Sequence, residues 1–251
     1  MSERLWLVDI GNSRLKWARS ESGRLTPGAA FASKCSALTA HLERHWSSVG
    51  CPDAVYVSNV AGSEIARRLE EWVSARWGSP VIFARSEPQR DGVVNGYVQP
   101  ECLGVDRWLG LLALHRDYAL PACLVDCGTA ITLDLLDAAG RHQGGLIAPG
   151  LATMKGALLA GANGIAMEAT AGHTGLLGRN TVACVESGVR LACAGLIEKA
   201  VRELSTQSDR HVLVVLTGGD AAAIAHHLAL PWHLDEHIVL RGLLTIAESE
   251  S

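Results

Sequence analysis

Two short segments place a glycine two residues after an aspartate and follow it with small polar side chains. Leu7-Val8-Asp9-Ile10-Gly11-Asn12-Ser13 is paraphrased by Leu124-Val125-Asp126-Cys127-Gly128-Thr129, and the pair Gly23-Arg24 returns as Gly140-Arg141 at the same offset. In each copy a short apolar run ends at Asp-x-Gly, and a second apolar-leaning stretch leads to a glycine turn, the pattern of a β-hairpin. Glycine lets the backbone approach an anion closely and reach positive φ, and successive N–H groups can then converge on phosphate as a nest. Aspartate repels phosphate, so Asp9 and Asp126 make chemical sense only with a cation between them and the anion, ordinarily Mg²⁺ with its waters. Asn12, Ser13 and Thr129 can donate hydrogen bonds, and Lys16 can add positive charge. A single Asp-x-Gly is a common turn. Two copies in register point instead to a loop pair that grips a nucleotide from two sides.

Two further constellations carry chemistry. Thr217-Gly218-Gly219-Asp220 follows the apolar run Val212–Leu216 and precedes a helix, and its glycine pair would let a flat base lie against the backbone. The first-half counterpart is Ser58-Asn59-Val60-Ala61-Gly62. The other constellation is Gly96-Tyr97 with Pro100-Glu101-Cys102-Leu103-Gly104-Val105-Asp106-Arg107-Trp108, in which Gly104 opens a helix. Asp106 in the first turn suits the helix dipole, whereas Arg107 opposes it. Arg107 therefore needs another justification, either as a surface residue or as the partner of a carboxylate substrate.

The elements that must position these residues follow from periodicity. Strands are predicted at 5–9, 15–19, 54–60 and 81–84, then at 123–126, 131–136, 145–148 and 211–216. Helices are predicted at 36–48, 63–77, 105–116, 151–159, 181–204, 221–228 and 236–247, and 90–100 reads as a loop. Strands lead each half and helices alternate afterwards, which predicts an α/β protein with mixed sheets flanked by helices. The halves are cut near residue 120, as 1–120 and 121–251, with the final helix able to cross back to the first half.

Composition limits the function classes. Apolar residues make up 48% and charged residues 19%, enough for a sizeable core. The net charge is −4 and no run of Lys/Arg occurs, so no nucleic-acid footprint is present. No apolar run is long enough for a membrane span, and the start of the chain lacks the shape of a signal peptide, so a cytoplasmic protein is expected. The seven cysteines are scattered, without C-x-x-C or paired Cys/His spacing, and read as reduced thiols rather than zinc ligands. There is no P-loop, no G-x-G-x-x-G fingerprint, no protein-kinase signature and no G-x-S-x-G elbow. Any ATP site must therefore use the duplicated hairpin.

Over almost its full length the chain resembles the type III pantothenate kinases, of the superfamily that holds acetate and sugar kinases, actin and the heat-shock ATPases. The resemblance is carried by Asp9-Ile10-Gly11-Asn12-Ser13 with Lys16-Trp17, Asn95-Gly96-Tyr97 through Trp108, and Asp126-Cys127-Gly128-Thr129-Ala130. It continues in Gly144-Gly145-Leu146-Ile147-Ala148-Pro149-Gly150-Leu151, Asn180-Thr181, Thr217-Gly218-Gly219 and Leu240-Arg241-Gly242-Leu243. It implies two similar ribonuclease H-like (actin-like ATPase) domains and phosphorylation of pantothenate by ATP, the first step toward coenzyme A. Asp106 would be the general base. Tyr97, Gly104, Val105, Arg107 and Thr181 would bind pantothenate beside it. Asp9, Ile10, Gly11, Asn12, Ser13, Arg14, Leu15, Lys16 and Thr129 would hold ATP, with Thr217, Gly218 and Gly219 as the adenosine turn. Asp126 would bind a monovalent cation, K⁺ or NH₄⁺, and Asp9 would hold Mg²⁺ through water. The family's homodimers imply that Thr181 acts across a dimer interface. Cys127 stands where the family more often has alanine, and Ser13 replaces the commoner threonine. Two other readings remain at this point: another small-molecule kinase of the superfamily, or a non-catalytic regulator that binds pantothenate or ATP.

Overall fold

The computed structural model describes residues 4–33, 35–47, 49–161, 175–208 and 210–250. The chain divides into two compact units, one of Met1–Tyr118 with His237–Ser251 and the other of Ala119–Glu236.

The first unit begins with β1 (Arg4–Ile10), β2 (Arg14–Glu21), β3 (Arg24–Pro27) and β4 (Phe31–Ala32). A 3₁₀ turn at Cys35–Ala37 leads into α1 (Leu38–Trp46), followed by β5 (Ala54–Asn59), α2 (Ser63–Arg76), β6 (Val81–Phe83), β7 (Gln89–Arg90), β8 (Val93–Val94) and α3 (Val105–Asp117). The sheet order is β3-β2-β1-β5-β6, with β4 also paired to β2. β1 runs antiparallel to β2 and parallel to β5. β1 is central because its apolar run is buried on both faces from Leu5 to Ile10. α1 and α2 bury one stripe each: Leu38, Leu42 and Trp46, and Ile65, Leu69, Trp72 and Val73. Trp6, Trp17, Trp46, Trp72 and Trp77 form one stacked and edge-on cluster under this sheet, with centroids 4.8–6.0 Å apart.

The second unit repeats the plan. It contains β9 (Ala122–Cys127), β10 (Ala130–Leu136), β11 (His142–Pro149), α4 (Leu151–Gly161), α5 (Thr181–Ser208), β12 (Leu213–Thr217), α6 (Ala221–Ala225) and β13 (His233–Leu234). Its sheet order, β11-β10-β9-β12-β13, is that of the first unit strand for strand, with β9 antiparallel to β10 and parallel to β12. Both units therefore have the ribonuclease H-like arrangement that the sequence predicts.

After Glu236 the chain returns to the first unit as α7 (Ile238–Glu250), which packs on α3 and buries Leu240, Leu243 and Ile246. The expected second half, 121–251, thus closes at Glu236. Three other expectations change. The helix over 36–48 starts as a 3₁₀ turn and ends at Trp46, with Ser48 outside the described residues. The helix over 221–228 stops at Ala225. The loop 90–100 begins with the β7–β8 hairpin, whose turn Asp91-Gly92 has φ of 47° and 85°. That is the backbone an Asp-Gly turn favours, but strands of two residues leave no alternation to read.

Candidate active site

The first loop is the tip of the β1–β2 hairpin. The Gly11 N–H donates to the Arg14 carbonyl at 3.0 Å, which leaves Asn12 and Ser13 exposed between them. Asp9 is 9% exposed, and its cross-strand partners are Lys16 on β2 and Ser58 on β5. Residues paired in this way face the same side of a sheet, so a carboxylate, an ammonium group and a buried hydroxyl share one surface. The Ser33 N–H holds the Ser13 carbonyl at 3.2 Å, and the Val60 N–H holds that of Ile10 at 3.0 Å. The side chains of Ile10 and Leu15 are wholly in the core. They can serve a ligand only through backbone groups, whereas Arg14 stands exposed at the start of β2.

The second loop keeps the scaffold and changes the finish. The Gly128 N–H donates to the Ala130 carbonyl at 3.0 Å, leaving Thr129 alone at an exposed tip. Asp126 pairs with Thr132 on β10 and Thr217 on β12. Two glycines press on this loop. Gly218 has a φ of +95°, and a Cβ there would overlap the Asp126 carboxylate and the Cys127 carbonyl. A Cβ on Gly150 would overlap the Gly128 carbonyl. The Gly150 N–H and the Thr153 hydroxyl both donate to the Thr129 carbonyl, at 3.0 and 2.7 Å. The Asp220 N–H donates to the Cys127 carbonyl at 2.9 Å. This bond is the counterpart of Val60 to Ile10, so Ser58-Asn59-Val60 and Thr217-Gly218-Gly219-Asp220 occupy corresponding places. Burial raises the Asp220 carboxyl above its ordinary range, against the pull of Lys155. Burial, helped by Asp126, pushes the Cys127 thiol up to about 12. It is therefore an un-ionised thiol at neutral pH.

The third group is built at the head of α3. Gly104 precedes the helix, where a Cβ would come 2.7 Å from Asp106 Oδ1. Asp106 Oδ1 accepts the Arg107 N–H at 2.8 Å. Arg107 is not a surface residue: it is 8% exposed, and its Nη1 donates to the Tyr97 hydroxyl at 2.7 Å. Its guanidinium carbon lies 5.5 Å from the Tyr97 ring centroid. Thr181 lies in the second unit as the exposed first residue of α5, behind Asn180, whose side chain accepts the Ala183 N–H at 2.9 Å. The geometry thus joins Asp9 with Lys16, Asp126 with Thr217 and Gly218, and Tyr97 with Arg107. Sequence reasoning places Ser58 only as the counterpart of the Thr217 turn and gives no role to Asn95, Thr132, Thr153 or Lys155. Among these, the Asn-Gly pair at 95–96 offered a turn signal.

The donors fit hard cations. Asp9 and Asp126 offer carboxylate oxygen at two loops suited to phosphate. Among the described residues no three His, Cys, Asp or Glu side chains form a metal cage. Among those residues no helix is long and apolar enough to cross a membrane.

A duplicated ribonuclease H-like sheet carrying an Asp-x-Gly hairpin in each copy, with an acid–arginine pair at a helix head, defines a small-molecule kinase of the actin-like ATPase class. The sequence profile of type III pantothenate kinases matches residues 5–203. The chain is 37% identical over 250 residues to the type III pantothenate kinase of Nitrosococcus oceani, covering 98% of this chain and 94% of that protein. It is 38% identical over 262 residues to the one of Burkholderia multivorans, covering 100% and 99%. A solved Campylobacter jejuni structure, described as of the Baf family of transcriptional activators, shares the fold with a TM-score of 0.60 at 20% identity over 98% of each chain. The chain belongs to the type III pantothenate kinase family.

Proposed function

We propose that this chain transfers the γ-phosphoryl group of ATP to the primary hydroxyl of pantothenate, releasing ADP and 4′-phosphopantothenate in the first step of coenzyme A biosynthesis. The observation that carries the substrate is the buried Arg107, clamped by Tyr97 beside Asp106. A buried guanidinium suits a carboxylate, and pantothenate presents one at the far end from its hydroxyl. Arg107 and Tyr97 anchor that end, while Gly104 and Val105 line the pocket with them. Asp106 accepts the hydroxyl proton as the new O–P bond forms and the bond to ADP breaks.

Phosphoryl transfer has a loose transition state, so holding and neutralising charge matter more than bond-making by the protein. The N–H groups around Gly11, the Asn12 and Ser13 side chains, Lys16 and the Thr129 loop serve that need. Arg14 flanks the first loop, and Thr217-Gly218-Gly219 receives adenosine. Mg²⁺ with ATP, held through water by Asp9, supplies charge neutralisation on the phosphates. Asp126 holds the monovalent cation, K⁺ or NH₄⁺.

The protein acts as a homodimer, with Thr181 reaching the partner's pantothenate. Exposed Leu146, Ile147, Leu158 and Leu191 favour such a face, as does an apolar groove of about 620 Å³ between α4 and α5. The free thiols at Cys51, Cys102 and Cys184 suit a cytoplasmic setting.

An ADP-release assay with pantothenate, pantetheine and sugars, each in K⁺ or Na⁺, tests this reading. Turnover is expected with pantothenate in K⁺ and is lost in Na⁺; pantetheine, lacking the carboxylate, turns over poorly. Asp106→Asn should lose on the order of 10²–10⁴ in rate while still binding ATP. Near-normal turnover in that variant overturns the role of Asp106, and indifference to the cation overturns that of Asp126.

A further inference from the structure

We propose that Asn95 is a positioning residue for the substrate's carboxylate end, acting through Tyr97. This rests on the reading of Tyr97 and Arg107 as the pantothenate anchor. Asn95 is 8% exposed and follows the β7–β8 hairpin. Its own N–H donates to the Pro88 carbonyl at 2.9 Å. Its side-chain Nδ2 donates to two carbonyls at 3.1 Å each, Glu87 before the hairpin and Pro100 beyond the turn. Its Oδ1 accepts the Tyr97 N–H at 3.0 Å.

The orientation of the amide is fixed by chemistry. Turned over, its oxygen would face two carbonyl oxygens and its NH₂ would face an N–H. One buried amide therefore ties three pieces of backbone: the segment entering the hairpin, the residue carrying the phenol, and the 3₁₀ turn Pro100–Cys102 that leads into Gly104 and Asp106. The Ser86 hydroxyl reinforces the last tie by donating to the Leu103 carbonyl at 2.7 Å. With both arms held, the Tyr97 hydroxyl is delivered to Arg107 at 2.7 Å without a strand or helix beneath it. Arg107 itself belongs to the rigid α3, so the adjustable member of the pair is Tyr97, and Asn95 sets where it stands.

No other side chain reproduces two donors and one acceptor at this length. Aspartate keeps the acceptor for the Tyr97 N–H but sets a carboxylate oxygen against the Glu87 and Pro100 carbonyls. Alanine removes all three bonds. Asn95→Asp and Asn95→Ala are expected to raise KM for pantothenate roughly tenfold, as for a buried polar group left unmet, with KM for ATP unchanged and kcat altered less. In a Tyr97→Phe background, Asn95→Asp should add little to the pantothenate KM, because both changes act on one contact. Additive effects, or equal rises in both KM values, overturn the positioning role. Hydrogen exchange over residues 96–104 tests it without substrate: exchange should accelerate in both Asn95 variants, and unchanged protection overturns the proposal whatever the substrate proves to be. Absence of wild-type turnover with pantothenate would instead overturn the reading of the pocket.

Discussion

At the tip of the β1–β2 hairpin Asn12 and Ser13 separate the two strands, and Lys16 stands opposite Asp9; at the tip of the β9–β10 hairpin Thr129 alone makes the turn, and Thr132 stands opposite Asp126. The strand that runs parallel to each hairpin is also alike in register and different in finish. Ser58 and Thr217 occupy the same place, yet Gly218 after Thr217 presses on the carboxylate, while Asn59 after Ser58 turns its side chain to the Gly62 carbonyl and the Ala61 N–H. The first loop is thus open and charged. The second is short, bound from behind by Gly150 and Thr153, and sets a threonine rather than a lysine across from its aspartate. One scaffold yields an open, charged tip in the first copy and a short, packed tip in the second, and the difference lies in single residues rather than in topology.

This contrast can be broken from either side. Gly218→Ala should have the largest effect, because a methyl group at φ +95° would meet the Asp126 carboxylate and the Cys127 carbonyl. Turnover should fall at least on the order of 100-fold, and the strained backbone should cost about 1–3 kcal/mol of stability, read as a lower Tm. Full activity with an unchanged Tm would mean that the second loop is not fixed by packing. Lys16→Met should come next, with KM for ATP rising roughly tenfold or more, pantothenate KM unmoved and Tm within error of the wild type. A matching loss of Tm would show that Lys16 supports the hairpin rather than the ligand.

The smallest effect concerns Cys127, which the second loop holds inside. Burial keeps its thiol near 12, so the reactive thiolate is scarce throughout neutral and mildly alkaline pH. Alkylation of the native protein at pH 8, mapped by mass spectrometry, should modify the exposed Cys51, Cys102 and Cys184 and spare Cys127. Rapid modification of Cys127 would mean that the packing around the second loop does not keep it closed.

Much of this was legible in the sequence because both copies kept Asp-x-Gly, and because β1, β2, β9 and β10 have apolar runs that carry their own period. Arg107 was legible as a problem: a cation in the first turn of a helix needs a partner, and the structure supplies Tyr97. The correspondence of Ser58-Asn59-Val60 with the Thr217 turn was legible as strand, small residues and helix, and the strand register then matched Ser58 to Thr217 residue for residue. Asn95 was quoted within a motif but given no work, for its partners are the backbone carbonyls of Glu87 and Pro100, which have no signature of their own. Thr153 was passed over for the same reason. Strands as short as β4, β7, β8 and β13 exist because neighbouring backbone pairs with them, not because their residues alternate.

The return of α7 to the first unit bears on how the protein is made. Residues 4–118 leave the ribosome early with α3 lacking the helix that covers it, and 119–236 must follow before Leu240, Leu243 and Ile246 arrive. Arg90, on the hairpin before Tyr97, must likewise wait for Ser249 and Glu250 to bind its guanidinium. The first unit, although synthesised first, completes its core last, and the elements that carry Tyr97 and Arg107 belong to a unit that 238–250 closes.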